Sequence, residues 1–356
     1  MKRLRRRTII ALVLAGALAA GVLLGSLTGC GARTAQAETQ VFAMDTVMSL
    51  QVCAPKQAEA QAALDEAVAE LYDLDRTLSV TGGDSDVRQL NDAAGNGSWV
   101  ALHETGADVL RQALELCAAT GGALDITTYP AMEAWGFPSG DYRVPDEAER
   151  AALAEGIDYT RVELAQDGDQ ARLPQGTALD LGAVGKGYAG DRLAQLLRAR
   201  EVTSALLNLG QSTIVAIGSR PDGTPWRIGI QDPAGEDYLG VLELTDGAVG
   251  TSGGYQRYFE QDGVRYWHIL DPATAAPARS GLASVTVVSP SGLTCDGLST
   301  ALFVMGADGA LAFWREHPEL DLQLLLVAED GTVSLTPGLR DAFTLSDHTR
   351  EVTVLQ

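Results

Sequence analysis

The residues with the clearest chemical potential lie in the glycine-rich stretch A-L-D-L-G-A-V-G-K-G-Y-A-G-D, residues 178–191. It combines the carboxylate of Asp180 with four closely spaced glycines and with Lys186 between two of them, just before a helical pattern over residues 191–200. Glycine lets the backbone approach a ligand closely, and the N–H groups at the start of a helix attract an anion. The stretch therefore predicts an anion site, with a simple turn between strand and helix as the alternative.

Neither of the two common phosphate-binding motifs fits this stretch. Residues 185–190 satisfy G-x-G-x-x-G, but a dinucleotide-binding fingerprint also needs an acidic residue about 20 positions later, at the end of the next strand. That predicted strand, residues 204–209, is followed by Gly210 and Gln211 instead. A P-loop is excluded because Asp180 stands at its first glycine and Gly187 at its hydroxyl position.

Two further segments carry groups that could do chemistry. His268 stands in W-H-I-L-D-P, where an imidazole at a strand end can act as a general base near neutral pH. Asp296 and Thr300 lie four residues apart on one face of a predicted helix, so a carboxylate and a hydroxyl can meet one cation. Oxygen ligands favour magnesium over zinc. The alternatives are a structural histidine and helix capping by Asp296.

The first 29 residues have the pattern of a secretory signal. Five basic residues within residues 1–7 precede an apolar run over residues 8–24, and S-L-T-G-C then ends at Cys30. This order resembles the signal of bacterial lipoproteins, which implies cleavage before Cys30 and a lipid on its thiol. We therefore expect an exported, membrane-anchored protein that faces the extracytosolic side, in the periplasm or at the cell surface. An uncleaved N-terminal anchor is the alternative.

Charge and cysteine usage exclude several functions. The chain carries a net charge of −21, and loss of the signal would make it more negative. Such a chain repels nucleic acid, so no nucleic-acid partner is expected, and a polyanionic ligand would need a local cation. Cys53, Cys117 and Cys295 stand singly without C-x-x-C spacing. They are therefore expected to be buried small side chains, not zinc ligands.

Hydrophobic periodicity predicts an α+β fold. Helices are predicted over residues 56–78, 86–91, 105–120, 147–155, 191–200, 295–305 and 307–317. Strands are predicted over residues 40–53, 204–209, 212–218, 226–231, 239–244, 247–251, 256–261, 264–269, 284–289 and 321–327, with a hairpin over 161–164 and 171–173. Residues 123–137 are predicted to be a loop that forms a ligand wall or covers the core. The predicted organisation is a signal (1–29), a lipidated tether (30–39) and one domain (40–356).

Seven blocks of the chain, in this order, resemble the FAD:protein FMN transferases, the ApbE family of bacterial flavin-handling lipoproteins. The blocks are F-A-M-D-T (42–46), S…D-S…N (79–91), W-G-F (135–137), D-L-G-A…G-K-G (180–187), T-S-G…Y (251–255), H-I-L-D-P (268–272) and D-G-L-S-T (296–300). Together they extend over nearly all of the chain after the signal.

The resemblance implies a T-fold-like α+β domain, two-lobed with mixed or antiparallel sheets and packed helices, that binds FAD and magnesium in a cleft. The residues that it implies for FAD binding are Met44, Thr81, Asp125, Ile126, Thr127, Asp180, Lys186 and Leu270. For magnesium it implies the carbonyl of Ala183 with Asp296 and Thr300, helped by Ser299, and for the general base it implies His268.

The implied reaction is magnesium-dependent transfer of FMN from FAD to a threonine of an exported acceptor flavoprotein, such as a redox-complex subunit, with release of AMP. Magnesium and Lys186 would neutralise the pyrophosphate, and His268 would take the threonine proton. Thr81 stands where many members carry an aromatic residue, and Gln211 and Ala275 replace family glycines. These departures leave open a magnesium-dependent FAD pyrophosphatase, which makes FMN and AMP, or a non-catalytic flavin-binding lipoprotein.

Overall fold

A computed structural model describes residues 34–235 and 237–356 of the chain. The predicted signal and Cys30 lie outside these residues. Thr34–Gln356 forms one compact unit. Its helices are α1 (Gln57–Leu78), α2 (Asp86–Ala93), α3 (Glu104–Ala119), α4 (Tyr129–Trp135), α5 (Glu147–Gly156), α6 (Gly185–Ala199) and α7 (Gly292–Glu316), with 3-10 turns at Tyr159–Arg161, Pro318–Leu320 and Pro337–Leu339.

The strands form one large sheet and four small ones. They are β1 (Ala35–Ala43), β2 (Thr46–Ala54), β3 (Val100–Ala101), β4 (Glu163–Leu164), β5 (Gln170–Arg172), β6 (Ser204–Asn208), β7 (Thr213–Ile217), β8 (Trp226–Gln231), β9 (Tyr238–Leu244), β10 (Gly247–Gly253), β11 (Tyr258–Gln261), β12 (Val264–Trp267), β13 (Leu270–Asp271), β14 (Ala276–Pro277), β15 (Leu282–Ser289), β16 (Gln323–Ala328), β17 (Val333–Leu335), β18 (Phe343–Leu345) and β19 (Val352–Val354).

The large sheet has nine strands in the order β1-β2-β6-β7-β10-β15-β16-β17-β19. Its strands pair antiparallel except β17 with β19, so the sheet is mixed. The four small sheets are β18-β9-β8, β3-β5-β4, β11-β12 and β13-β14. The predicted α+β class is therefore confirmed, and the predicted hairpin over 161–173 is the β4–β5 pair.

Three helices pack against the large sheet and against one another. In α1, Ala60, Leu64, Ala67, Leu71 and Leu74 recur at helical spacing and are buried, as the amphipathic pattern predicts. This helix packs on β1, β2 and α6, and α7 packs on β10, β15 and α6. By length and composition α7 could also cross a membrane, but burial within the fold explains the same apolar sequence.

The predicted break between two C-terminal helices is confirmed at Gly306. Its φ of 77° and ψ of 178° interrupt α7 between residues 292 and 316. A positive φ of this kind is accessible to glycine at little cost. The helix starts at Gly292, before the predicted residue 295, because the side chain of Ser291 accepts a hydrogen bond from the Thr294 N–H and caps it.

Three local predictions are wrong. Residues 40–53 are not one strand, because they contain the last part of β1, a turn and most of β2. Strand β1 begins at Ala35, inside the predicted tether. The hairpin turns at Met44 and Asp45, whose φ values of 48° and 59° give the left-handed pair that a two-residue turn requires.

Residues 123–137 are not all loop, because Tyr129–Trp135 forms α4, with Pro130 in its first turn and left-handed Gly136 at its end.

The third correction concerns the glycine-rich stretch itself, because α6 begins at Gly185 and not at residue 191. A Cβ placed on Gly187 would lie 2.1 Å from the carbonyl oxygen of Gly292, and one on Gly190 would lie 2.6 Å from the side chain of Val215. These glycines are therefore helical positions at which α6 meets α7 and β7 without room for a side chain.

We expect Gly187→Ala to destabilise the fold by about 1–3 kcal/mol, because the added methyl overlaps the backbone of α7. Gly185→Ala is the matched control, since a Cβ there meets no atom within 4 Å. The control should leave stability unchanged or slightly raise it. Urea unfolding of the two variants measures both effects, and equal midpoints would contradict the close contact between the helices.

Candidate functional site

A cavity of about 390 Å³ brings together most of the predicted site residues. Those that line it are Met44, Thr81, Asp125, Asp180, Ala183, Lys186, His268, Leu270, Asp296 and Thr300. They come from the β1–β2 turn, the loop after α1, the segment before α4, the start of α6, the residues that follow β12 and the second turn of α7. Segments far apart in sequence therefore meet in one place.

Three predicted residues stand behind the wall of the cavity. Ile126 is buried in the main hydrophobic core. Thr127 is buried and donates from Oγ1 to Asp125 Oδ1 over 2.6 Å, so it orients that carboxylate. Ser299 is also buried, with its Oγ 2.9 Å from Ser252 Oγ. These three can act on a ligand only through the neighbours that they hold.

Asp296 is a buried carboxylate with two protein donors. Its Oδ2 accepts from the backbone N–H of Gly187 over 2.9 Å, and its Oδ1 accepts from Thr213 Oγ1 over 2.6 Å. Because Ser291 caps the helix, the capping alternative for Asp296 is wrong. The carboxylate instead joins α7 to the first turn of α6 and to β7.

Ala183 directly precedes Val184, the N-cap of α6, so its carbonyl takes no part in the hydrogen bonds of the helix. Gly187 lies in the first turn, where an N–H has no carbonyl partner within the helix, and it donates to Asp296 instead. Among the residues that the structure describes, no N–H or O–H group donates to Ala183 O. Ala183, Asp296 and Thr300 thus present a carbonyl, a carboxylate and a hydroxyl to one cavity.

This donor set fits a magnesium ion whose remaining ligands come from a substrate and from water. Within residues 34–235 and 237–356, no group of three His, Cys, Asp or Glu side chains is placed to hold a metal. Magnesium is commonly bound through one or two carboxylates together with substrate phosphates and water, so a full protein cage is not required. Thr300 Oγ1 lies 3.2 Å from Ser252 Oγ, which orients the hydroxyl beside the carboxylate.

Two cations border the cavity in this strongly acidic chain. Lys186 Nζ lies 3.8 Å from Asp296 Oδ2 and 3.4 Å from Gly182 O. Arg257 also lines the cavity, and its guanidinium donates to the carbonyl of Phe137. Burial raises the pKa of Asp180, while the Gly182 N–H and the charges of Arg257 and Lys186 oppose that rise. The cations supply the local positive charge that a polyanionic ligand needs.

His268 follows β12 and is held by the backbone of Arg257. Its N–H donates to Arg257 O over 3.1 Å, and its ring Nδ1 lies 3.2 Å from the same oxygen. Since a carbonyl can only accept, Nδ1 carries the proton and Nε2 keeps its lone pair. Desolvation lowers the pKa of His268 to about 4, and the charges of Arg257 and Lys186 act in the same direction. The imidazole is therefore neutral at pH 7 and able to accept a proton.

Several residues of the cavity are not among the predicted site residues. Asp45 and Ser252 lie within the blocks quoted above, so a sequence signal existed. Tyr129 and Arg257 carried no such signal. Tyr129 is the one Phe, Tyr or Trp residue among the described residues that line the cavity, and burial raises the pKa of its hydroxyl. Its ring provides a flat surface for a planar ligand.

Comparisons with known proteins identify the family of this chain. A sequence model described as the ApbE family matches residues 44–324. The chain is 32% identical to an FAD:protein FMN transferase of Klebsiella pneumoniae (strain 342), covering 86% of this chain and 90% of that protein. It is 32% identical to an FAD:protein FMN transferase of Treponema pallidum (strain Nichols), covering 92% and 95%.

Solved structures give the same result for the fold. The crystal structure of the ApbE protein from Thermotoga maritima superposes with a TM-score of 0.80 at 31% identity, covering 86% of this chain and 99% of that chain. The apo form of the flavinyl transferase ApbE from Pseudomonas stutzeri superposes with a TM-score of 0.76 at 30% identity, covering 87% and 97%. With the family match extending over most of its length, this chain belongs to the ApbE family.

Proposed function

We propose that this chain is an FAD:protein FMN transferase, an enzyme that moves FMN from FAD onto a protein and releases AMP. Its relatives of about one-third identity over most of their length carry this activity in their names. The observation that carries the proposal is the meeting of a neutral His268, the cation Lys186 and the oxygens of Ala183, Asp296 and Thr300 in one cavity. A base, a cation and hard oxygen ligands are the groups that phosphoryl transfer requires.

Different residues bind the pyrophosphate, accept the proton and hold the metal. Lys186 and Arg257 attract the pyrophosphate of FAD, which carries the negative charge. His268 Nε2 accepts the proton of the acceptor hydroxyl as its oxygen attacks the phosphorus on the FMN side, and the bond from that phosphorus to the AMP oxygen breaks. Ala183, Asp296 and Thr300, with Ser299 acting through Ser252, would hold Mg²⁺. When bound, Mg²⁺ neutralises charge on the phosphate oxygens.

We propose that FAD binds along the rest of the cavity. Met44, Thr81, Asp125, Asp180 and Leu270 line it and would contact the two ring systems and the linking chain of FAD. The cavity lies within the size range of small-molecule sites, roughly 300–1,000 Å³. Ile126 and Thr127 would support the wall from behind.

We expect Tyr129→Leu to weaken FAD binding by about three- to tenfold, because the variant loses a ring on which a planar ligand can stack. Tyr129→Phe keeps the ring and should bind FAD like the parent chain. Quenching of flavin fluorescence measures both dissociation constants. An unchanged constant in the leucine variant would show that the ring does not touch FAD, and competition by FMN or AMP identifies which half of FAD stacks there.

The rate of transfer should stay high in mildly acidic solution. Only neutral His268 can accept a proton, and its folded pKa of about 4 keeps it neutral well below the ordinary value of 6.5. We therefore expect kcat/KM to change little between about pH 8 and pH 5, and to fall as the pH drops through about 4. Circular dichroism at each pH separates this loss from unfolding. A half-maximal rate near pH 6.5 would contradict the lowered pKa of His268.

We also propose that the acceptor residue is a threonine of an exported redox protein and that a lipid on Cys30 anchors the chain on the extracytosolic side of a membrane. The signal-like pattern of residues 1–30 supports export and the anchor, and the resemblance to the family supports the threonine. Intact-mass analysis of the membrane-extracted chain tests the anchor, because cleavage before Cys30 removes residues 1–29 and a lipid adds mass to Cys30. A chain that keeps residues 1–29 would favour an uncleaved N-terminal helix.

Product analysis tests the proposed reaction against hydrolysis. The full-length chain in detergent is incubated with FAD and Mg²⁺, with and without a threonine-bearing acceptor protein, and nucleotides are separated by chromatography. AMP release that depends on the acceptor, without free FMN, supports transfer. Equal amounts of free FMN and AMP without acceptor would instead identify an FAD pyrophosphatase and make Thr81 the next residue to change. If FAD stays intact under all conditions, the chain binds flavin without catalysing its cleavage.

A further inference from the structure

One block of the sequence, W-G-F at residues 135–137, has no role in the proposed reaction. Trp135 and Phe137 are buried, each with 1% of its surface exposed, and neither lines the cavity. The chain leaves α4 through left-handed Gly136, and the N–H of Phe137 donates back to Met132 O over 3.1 Å. This is the Schellman ending of a helix. The way in which α4 ends therefore fixes where the two rings lie.

The two rings pack on the β11–β12 hairpin. The centroid of the Trp135 ring lies 5.4 Å from that of Tyr266, and the centroid of Phe137 lies 5.9 Å from that of Phe259. Phe259 and Tyr266 are paired across the two strands and stack at 5.2 Å. The hairpin pairs with no other described strand, and an isolated hairpin is only marginally stable in water. The W-G-F block therefore supplies packing that holds the hairpin in place.

The two ends of this hairpin carry residues of the cavity. Arg257 directly precedes β11 and His268 directly follows β12. Both residues line the cavity, and the backbone N–H of His268 donates to Arg257 O over 3.1 Å. The place of the imidazole in the cavity thus depends on how the hairpin is held.

Phe137 lies against both ends of the hairpin. Its ring stands edge-on to the imidazole of His268, with 6.4 Å between the centroids and 68° between the planes. Aromatic rings favour this arrangement. Its carbonyl oxygen accepts a hydrogen bond from the guanidinium of Arg257, whose own carbonyl oxygen lies 3.2 Å from Nδ1 of His268. Phe137 therefore acts on the imidazole directly through its ring and indirectly through Arg257.

Trp135 holds the segment that follows the histidine. Its Nε1 donates to Ala275 O over 2.7 Å, a bond between residues that are 140 positions apart. Ala275 has a φ of 49° and lies between β13 and β14. Trp135, Phe137, Leu270 and Ala275 belong to one small hydrophobic cluster. The chain on both sides of His268 is therefore attached to the W-G-F block.

We propose that Phe137 is a positioning residue for the general base. It keeps the imidazole of His268 in the orientation in which Nδ1 donates to Arg257 O and Nε2 is free to accept a proton. This inference rests on the proposed function, since it concerns the base of that same reaction. Because Phe137 does not line the cavity, its replacement should lower the rate of transfer without weakening the binding of FAD.

Phe137→Leu tests this role, because it removes the ring and keeps both an apolar side chain and the carbonyl that binds Arg257. We expect kcat at saturating FAD and acceptor to fall by about 10–100-fold, since a small displacement of a reacting group can cost this much. The dissociation constant of FAD and the KM for the acceptor should stay within about twofold of the parent chain. If the leucine variant does not fold, Phe137→Met, with a flexible apolar side chain, is measured in its place.

Nitrogen-15 spectra at pH 7 report the imidazole directly. The chemical shifts of the ring nitrogens distinguish the Nδ1–H from the Nε2–H tautomer, and the signal that is absent from the His268→Ala spectrum belongs to His268. We expect the Nδ1–H tautomer alone in the parent chain and a mixture in Phe137→Leu, because the ring no longer holds Nδ1 at Arg257 O. This measurement needs no turnover, so it tests the orientation of the imidazole even in a chain that transfers no FMN.

The matched control is Phe313→Leu. Phe313 is also a buried phenylalanine beside a histidine, with 4.3 Å between its ring centroid and that of His317, and neither residue lines the cavity. The control should keep the parent kcat and the parent spectrum of His268. A Phe137→Leu chain with the parent kcat and the Nδ1–H tautomer alone, or an equal fall of kcat in the control, would overturn the role of Phe137 while the proposed function stands. Near-native transfer by His268→Ala would overturn the proposed base and the role of Phe137 together.

Discussion

Replacement of His268 by alanine is expected to lower the rate of FMN transfer by about 10²–10⁴-fold, the usual contribution of a general base. The side chain is placed for this role by the carbonyl of Arg257, which fixes Nδ1 as the donor and leaves Nε2 free. Its lowered pKa keeps the base neutral at pH 7. Single-turnover transfer at saturating FAD measures the loss without a contribution from product release.

The histidine at position 103 provides the control for this variant. His103 Nδ1 lies 2.7 Å from Asp86 Oδ1, and neither residue lines the cavity. His103→Ala should therefore transfer FMN at the parent rate, and FAD should bind the His268→Ala variant with nearly the parent affinity. A His268→Ala chain that transfers FMN at a near-native rate would show that another group, or water, accepts the proton.

Asp296→Asn should have a comparably large effect through magnesium. An amide can still accept from the Gly187 N–H and donate to Thr213 Oγ1, so the links from α7 to α6 and β7 survive. What the variant loses is the negative charge that attracts the cation. Loss of a group that only supports a metal ligand typically lowers metal affinity by about 10–100-fold. Because Asp296 is itself a proposed ligand, we expect a larger rise in the magnesium concentration that gives half-maximal activity.

Asp191→Asn is the matched control for this prediction. Asp191 is a half-buried carboxylate between α6 and α7, where it accepts from the N–H groups of Gly292 and Leu293, but it does not line the cavity. Its amide variant should lower the unfolding temperature and leave the magnesium dependence unchanged. An equal change in magnesium dependence in the two variants would show that helix docking, and not metal binding, explains the effect of Asp296.

Sequence patterns predicted the fold where the signal is local, either a helical spacing of apolar residues or a glycine that breaks a helix. The spacing of Leu64, Leu71 and Leu74 predicted α1, and Gly306 predicted the break in α7. Predictions failed where tertiary packing overrides the local signal. The β1–β2 turn has no glycine to mark it, and the glycines at the start of α6 suggested a loop although they serve helix contacts.

The candidate site could be predicted from ordered motifs but not from spacing. Asp296 and Gly187 are 109 residues apart in sequence, so nothing local predicts their hydrogen bond. Tyr129 and Arg257 reach the cavity only because the tertiary fold brings the start of α4 and the residue before β11 to it. A residue brought in by tertiary folding leaves no periodic signal.

The measurement that tests the central claim most directly is the intact mass of an acceptor protein after incubation with the full-length chain, FAD and Mg²⁺. We predict a gain equal to one FMN less one water, located by fragmentation on a hydroxyl side chain and abolished by chelator and by His268→Ala. An acceptor of unchanged mass, with free FMN and AMP in solution, would contradict transfer and identify hydrolysis as the reaction of this cavity.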